Sequence, residues 1–272
     1  MNFQHTFNLL TGSAALLLVL TACSQDDSFA PTDSGRLPQG NEPMTFLASG
    51  LQRTASSATP ASRASIDNDW KDISKIAVLM NGEAKVYDVT PAEDFLTARL
   101  TAADPFRWTT DMTTAEISAW WPYTDSDNDG IPDATIPPVV VKKDQSSDEN
   151  YANSDYIAVS NQQVSFGTPA ELQFSHRTAR IVLKLASSTV DLSSVSISIN
   201  NLSAVNGNPQ VITPRKVEDG TYEALVAPQR IMAQTQIASI TTLGGKTFIY
   251  KISNETEWAE GKYYTYTIEL VE

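Results

Sequence analysis

The stretch Thr124 to Asp133, TDSDNDGIPD, sets acidic side chains at alternating positions. A calcium loop of this spacing needs oxygens at its positions 1, 3, 5, 7 and 9, with glycine at position 6 for the sharp turn. Asp125, Asp127, Asp129, the Ile131 carbonyl and Asp133 supply those oxygens, and Gly130 supplies the turn. The bidentate acid wanted at position 12 is missing, because Ile136 stands there. The pattern predicts at most one structural calcium, weakly held in a connecting loop. No other cofactor is called for.

Few other residues are equipped for chemistry. Cys23 is the single cysteine, and His5 and His176 are the two histidines. One thiol builds neither an internal disulfide nor a multi-cysteine zinc site. A Ser/His/Asp set would have to use His176, and nothing near it has the form of a nucleophile elbow. A lone histidine in a strand-rich stretch reads as a hydrogen-bonded structural group. Catalysis is therefore not expected. With 19 basic against 32 acidic residues, the formal net charge of -13 repels phosphate backbones and argues against nucleic-acid binding. Trp120 and Trp121 suggest a sugar-stacking platform, but neighbours on a strand point to opposite sides, so Trp121 reads as core with Ala119 and Tyr123. Gln145 and Ser146 follow Asp144 and read as turn formers.

The N-terminus carries an address. Residues 9–20, LLTGSAALLLVL, are too short an apolar run to span a bilayer comfortably. The run ends in Leu20-Thr21-Ala22-Cys23, which resembles the lipobox of bacterial lipoproteins, although the preceding MNFQHTFN lacks Lys and Arg. That resemblance implies a signal peptide over 1–22 and a lipid (palmitate among its chains) on Cys23. Acyl chains would anchor the protein by about 0.8 kcal/mol per buried methylene. Ser24-Gln25-Asp26-Asp27 resembles the acidic surface-export signal of some Gram-negative lipoproteins, which implies the outer membrane, facing outward. From there to Arg63 the chain is rich in Ser, Thr, Ala, Pro and Gly, and a flexible tether is expected over 23–63, with Met44 to Ala48 strand-like within it.

The elements that must carry these residues read as strands. Period-two alternation runs through 180–185, 195–199, 246–252 and 263–270, with Tyr264, Tyr266, Ile268 and Leu270 on one face of the last. Asn206-Gly207-Asn208-Pro209 and Gly244-Gly245 supply turns, and a further strand is expected over Ile136 to Lys142. Thr90-Pro91-Ala92-Glu93 has helix-start chemistry, and Phe95, Leu96, Arg99 and Leu100 fit a short helix. With no βαβ rhythm, an all-β architecture of antiparallel sandwiches is expected.

Several motifs, in order, resemble the fimbrillin (Mfa-like) pilus subunits of anaerobic Gram-negative bacteria. They include Ser62-Arg63-Ala64, Trp70, Ile117 to Tyr123 (ISAWWPY), Asp144-Gln145-Ser146, Asn153 to Ala158 (NSDYIA), Leu172 to Arg180 (LQFSHRTAR), Val226 to Gln229 (VAPQ) and Trp258 to Ile268. The resemblance implies two Greek-key β-sandwiches of transthyretin-like or Ig-like type, expected here over 64–168 and 169–272. It further implies trimming by a trypsin-like protease, after Arg63 with Arg53 as the second choice, which removes the strand near Met44 to Ala48. A strand from another pilus subunit would then fill the groove, and the implied partners are other subunits, the membrane through the lipid, and a host or bacterial surface ligand. The source of the donor strand stays open. The aspartate stretch also resembles the calcium loops of thrombospondin type 3 repeats, in a single copy. A second expectation is a monomeric outer-membrane lipoprotein that binds glycan through sandwich loops.

Overall fold

The computed structural model describes residues 37–55, 69–167 and 170–271. Strands β1 (Glu42–Pro43), β2 (Phe46–Ser49) and β3 (Thr54–Ala55) come first. They are followed by β4 (Lys75–Met80), β5 (Glu83–Pro91), β6 (Ala98–Thr101), β7 (Arg107–Trp108) and β8 (Thr114–Trp121). A one-turn helix α1 (Asp148–Ala152) precedes β9 (Ile157–Ser165), β10 (Glu171–Gln173) and β11 (Ser175–His176). Eight of these strands form one sheet in the order β10-β2-β6-β5-β4-β8-β9-β11. The Gln162 side chain on β9 bonds the backbone of β10 at Glu171 and Gln173, so the sheet rolls until its two ends approach. Inside lies a core that includes Phe46, Trp70, Ile76, Tyr87, Leu100, Ile117, Ile157, Leu172 and Phe174.

Two strands of this sheet are apolar on both faces, for a visible reason. On β4, Ile76, Val78 and Met80 enter the core while Ala77 packs outward beside Trp120 and Ala158. Tyr123 and Ile136, from the long connection after β8, cover that outer patch. Burial on both sides replaces alternation by a continuous apolar run. The β4–β5 hairpin closes through Asn81-Gly82, both at positive φ (53° and 81°), the backbone that a two-residue hairpin turn requires.

The remaining strands are β12 (Ala179–Ala186), β13 (Ser196–Ile199), β14 (Arg215–Glu218), β15 (Thr221–Val226), β16 (Gln229–Ile231), β17 (Gln236–Thr241), β18 (Thr247–Lys251), β19 (Thr256–Trp258) and β20 (Lys262–Glu269). A five-stranded sheet, β14-β15-β12-β20-β3, faces a three-stranded one, β13-β17-β18, and β16 pairs with β19 at the side. Between them Ile181, Leu183, Ile197, Ile199, Ala224, Ile240, Trp258, Tyr264 and Ile268 make a second core. The protein is thus nearly all β, as expected. The inward sets read from period two on β12, β13 and β20 are the sets that pack here.

Three local expectations are corrected. No helix forms over 90–100: Thr90 and Pro91 end β5, Phe95 takes φ 58°, and Ala98 to Thr101 is a strand. Alternating burial of Ala98 and Leu100, with ladder partners on both sides, outweighs the helix-start chemistry. Residues 136–142 run extended without a ladder partner, and Val139 and Val141 plug the second core. Gln145 is no turn former. It is fully buried, donates to the carbonyls of Lys142 (3.1 Å) and Leu225 (2.8 Å), and accepts from the Leu225 amide (2.8 Å). The two cores also interlock across the expected division at 168/169, since β10 and β11 complete the first sheet while Val139 and Val141 serve the second core.

Candidate functional site

Residues 42–55 thread through both halves of the described fold. β1 pairs with β7, β2 lies between β6 (antiparallel) and β10 (parallel), and β3 pairs in parallel with β20. The tether expected over 23–63 therefore contains an integral part of the fold. Met44, Phe46, Ala48 and Leu51 point into the first core and are each at most 1% exposed. Full burial of one such large side chain is worth about 1.5–3 kcal/mol. The Tyr87 hydroxyl accepts from the Phe106 amide (2.9 Å) and donates to the Met44 carbonyl (3.3 Å), pinning the start of the segment. The ring of Phe46 packs on that of Tyr87 at 5.5 Å. Past β2 the chain passes so close to Phe174 that only glycine fits. A Cβ on Gly50 would lie 2.3 Å from the Phe174 carbonyl oxygen, and its φ of +97° is rarely open to other residues.

Beyond Gly50 the segment ends in a buried ionic network. The Arg53 guanidinium donates to the Thr178 carbonyl (2.6 Å), the Thr178 hydroxyl (2.7 Å) and Asp155 Oδ1 (2.8 Å). The Thr178 hydroxyl passes its own hydrogen to Asp155 Oδ1 at 2.7 Å. His176 Nδ1 lies 2.6 Å from Asp155 Oδ2, and its Nε2 lies 2.9 Å from the Leu51 carbonyl oxygen. The Asp155 carboxyl group thus lies between the Arg53 guanidinium and the His176 ring. The Arg53, Asp155 and His176 side chains are 0%, 7% and 1% exposed. His176 is the structural group expected of it.

Of the residues singled out in the sequence, Cys23 and Arg63 lie outside the described residues. Arg53 is buried and paired, so a protease reaches the following bond only after the network opens. In the aspartate loop the carboxylates turn toward the loop's own donors. Asp125 accepts from the amides of Asp129 (3.1 Å) and Gly130 (2.9 Å), and Asp129 accepts from that of Ile131 (2.8 Å). Asp133 accepts from the hydroxyls of Thr124 and Ser126 and from the Ser126 amide, and these bonds, Thr124 first, hold its carboxyl below the usual carboxylate range. Among the described residues no three His, Cys, Asp or Glu side chains converge as a metal site. Trp120 and Trp121 take opposite faces: Trp120 is fully buried on the outer patch, and Trp121 packs against the first core. Among the described residues no helix is long and apolar enough to cross a membrane.

A profile of fimbrillin-like proteins matches residues 62–272. The chain belongs to the fimbrillin-like family. Among curated proteins none matches. Solved structures share the fold at low identity. A crystal structure of a protein described as a candidate for cell adhesion, from Bacteroides uniformis, superposes with TM-score 0.56 at 18% identity, over 84% of this chain and 93% of that one. A fimbrial protein from Bacteroides ovatus gives TM-score 0.50 at 12% identity, over 85% of this chain and 50% of that one. Another candidate for cell adhesion, also from Bacteroides ovatus, gives TM-score 0.50 at 13% identity, over 84% and 92%.

Proposed function

We propose that the chain is a structural, adhesive and non-catalytic subunit of a bacterial surface fimbria. It leaves the cell as a lipoprotein carrying its lipid on Cys23, at the outer face of the outer membrane. An arginine-specific protease cuts after Arg63, and a strand of another subunit takes the place of β2. The family supports the fimbrial role, and the relatives described as fimbrial or adhesive point the same way.

One observation carries the assembly step. β2 is the N-terminal-most long strand described, yet it sits inside the sheet with ladder partners on both sides. Withdrawing it would leave β6 and β10 with unpaired edges above a groove lined by Tyr87, Leu100 and Leu172. Such a groove, rich in unmet backbone bonds and apolar surface, accepts an added strand.

Mapping the N-terminus of the protein at the cell surface tests this reading, since it reports lipidation and trimming together. The reading expects a lipid-modified Cys23 in the precursor and Ala64 as the first residue of the assembled form. A protein that keeps Cys23 as its first residue and stays monomeric would contradict it and favour a glycan-binding surface lipoprotein.

A further inference from the structure

Backbone pairing alone is a poor guide for a strand that must enter the slot of β2. Ladder bonds are blind to side chains, and a slip of one residue would turn the apolar set Phe46 and Ala48 away from the core. A strand seated by exchange needs a fixed point. The Arg53 site has the features of one.

Four bonds tie the segment to the body there: three from the guanidinium and one from His176 to the Leu51 carbonyl. They reach a carbonyl oxygen, a hydroxyl and a carboxylate oxygen that stand at fixed angles, as a planar fork of donors demands. A lysine ammonium on the same stem is a point charge and cannot span that set. When the segment leaves, the body keeps the contact of Asp155 with His176, 2.6 Å in the occupied state, and the Thr178 hydroxyl bonded to Asp155. No carboxylate is left without a partner, so the seat persists for the next occupant. Two residues before the arginine, His176 Nε2 offers a hydrogen to a backbone carbonyl, which sets the register of the incoming chain.

The geometry points to an arginine-selective seat, formed by Asp155, Thr178 and His176, that admits an extended segment of another subunit carrying an arginine in the position of Arg53. This rests on the reading that a foreign strand replaces β2, and it adds the chemistry by which that strand is chosen. Phe46, Ala48 and Leu51 supply the apolar demand, and the seat supplies the identity. The donor it fits is thus an alternating apolar strand ending two residues beyond its last core side chain in arginine.

The test uses the full chain nicked after Arg63 by an arginine-specific protease, with dye-labelled peptides spanning 42–55. One peptide keeps the natural sequence, and others carry Arg53→Lys or Arg53→Ala. Incorporation into the nicked protein is followed by gel filtration. The natural peptide is expected to enter at least about tenfold more tightly than the alanine peptide, with lysine in between. On a Thr178→Val body, which keeps the side-chain volume, the preference should collapse. An Asp155→Asn body should do the same. Equal entry of arginine and alanine peptides into the wild-type body would overturn the seat while leaving strand exchange intact. A preference that survives Thr178→Val would overturn its assignment to these residues. Entry of no peptide at all would overturn strand exchange, and the seat with it.

Discussion

The guanidinium of Arg53 meets the carboxylate of Asp155 at 2.8 Å in the interior, 102 positions apart in the chain. It joins the N-terminal segment to the helix–strand corner before β9, and through Thr178 to the start of β12. Removing one partner of a buried pair leaves the other charge uncompensated, which costs about 3–5 kcal/mol. Asp155→Asn should therefore lower the free energy of unfolding by roughly that amount in a denaturant titration. A loss below about 1 kcal/mol, the range of an exposed pair, would mean that the network does not form in solution.

Gly50 and Gly82 make a matched comparison, because both have positive φ, 97° and 81°. A Cβ at Gly82 meets nothing within 4 Å, whereas at Gly50 it would strike the Phe174 carbonyl oxygen at 2.3 Å. Gly82→Ala should cost only the left-handed backbone term of about 1–2 kcal/mol. Gly50→Ala should cost distinctly more, because the backbone must also move. Thermal melts of the two variants decide it: equal shifts would show that the segment is not held against Phe174.

Burial pushes the hydroxyls of Tyr87 and Tyr266 up to about 12. A phenol in the unfolded chain ionises near 10. Their contribution to stability is therefore whole below pH 10 and is lost as pH rises toward 12, where the unfolded chain sheds protons that the folded one retains. Absorbance titration should find tyrosines that ionise late, together with a melting temperature that falls across that window. All nine tyrosines ionising together near pH 10 in the folded protein would contradict it.

Calcium should leave the melting temperature unchanged, because the carboxylates of Asp125, Asp129 and Asp133 already serve the loop's own amides and hydroxyls. A rise at about millimolar calcium, the range of weak extracellular sites, that disappears in Asp127→Ala with Asp129→Ala would contradict this and place a metal in the loop.

Much of the fold is legible in the residue pattern. Strands β13 and β18 announce themselves because each has one wetter face, so the pattern of two is intact in Ile197-x-Ile199 and Phe248-x-Tyr250. Where a strand is covered twice, as at Ile76-Ala77-Val78, the same rule loses its grip. The misread helix near Phe95 shows local start chemistry yielding to sheet pairing on both sides of β6. His176 is legible as a structural residue, but its partners are not. Asp155, Thr178 and Arg53 look like ordinary polar positions, and only the fold brings residues 102 and 125 apart into contact. In the aspartate loop, spacing that suits a metal suits capping of the loop's backbone equally well, and Asp125, Asp129 and Asp133 accept from the loop's own donors.

The central claim, that β2 leaves and a foreign strand replaces it, is tested most directly by locking β2 in place. Leu47 on β2 stands opposite Arg99 on β6 in an antiparallel ladder, within the separation that a disulfide spans. The double variant Leu47→Cys with Arg99→Cys, trimmed by an arginine-specific protease, should run as a monomer on unboiled gels while oxidised. After reduction it should assemble into a ladder of multimers, as should the trimmed wild-type protein. A ladder that forms while the disulfide is closed would contradict the account.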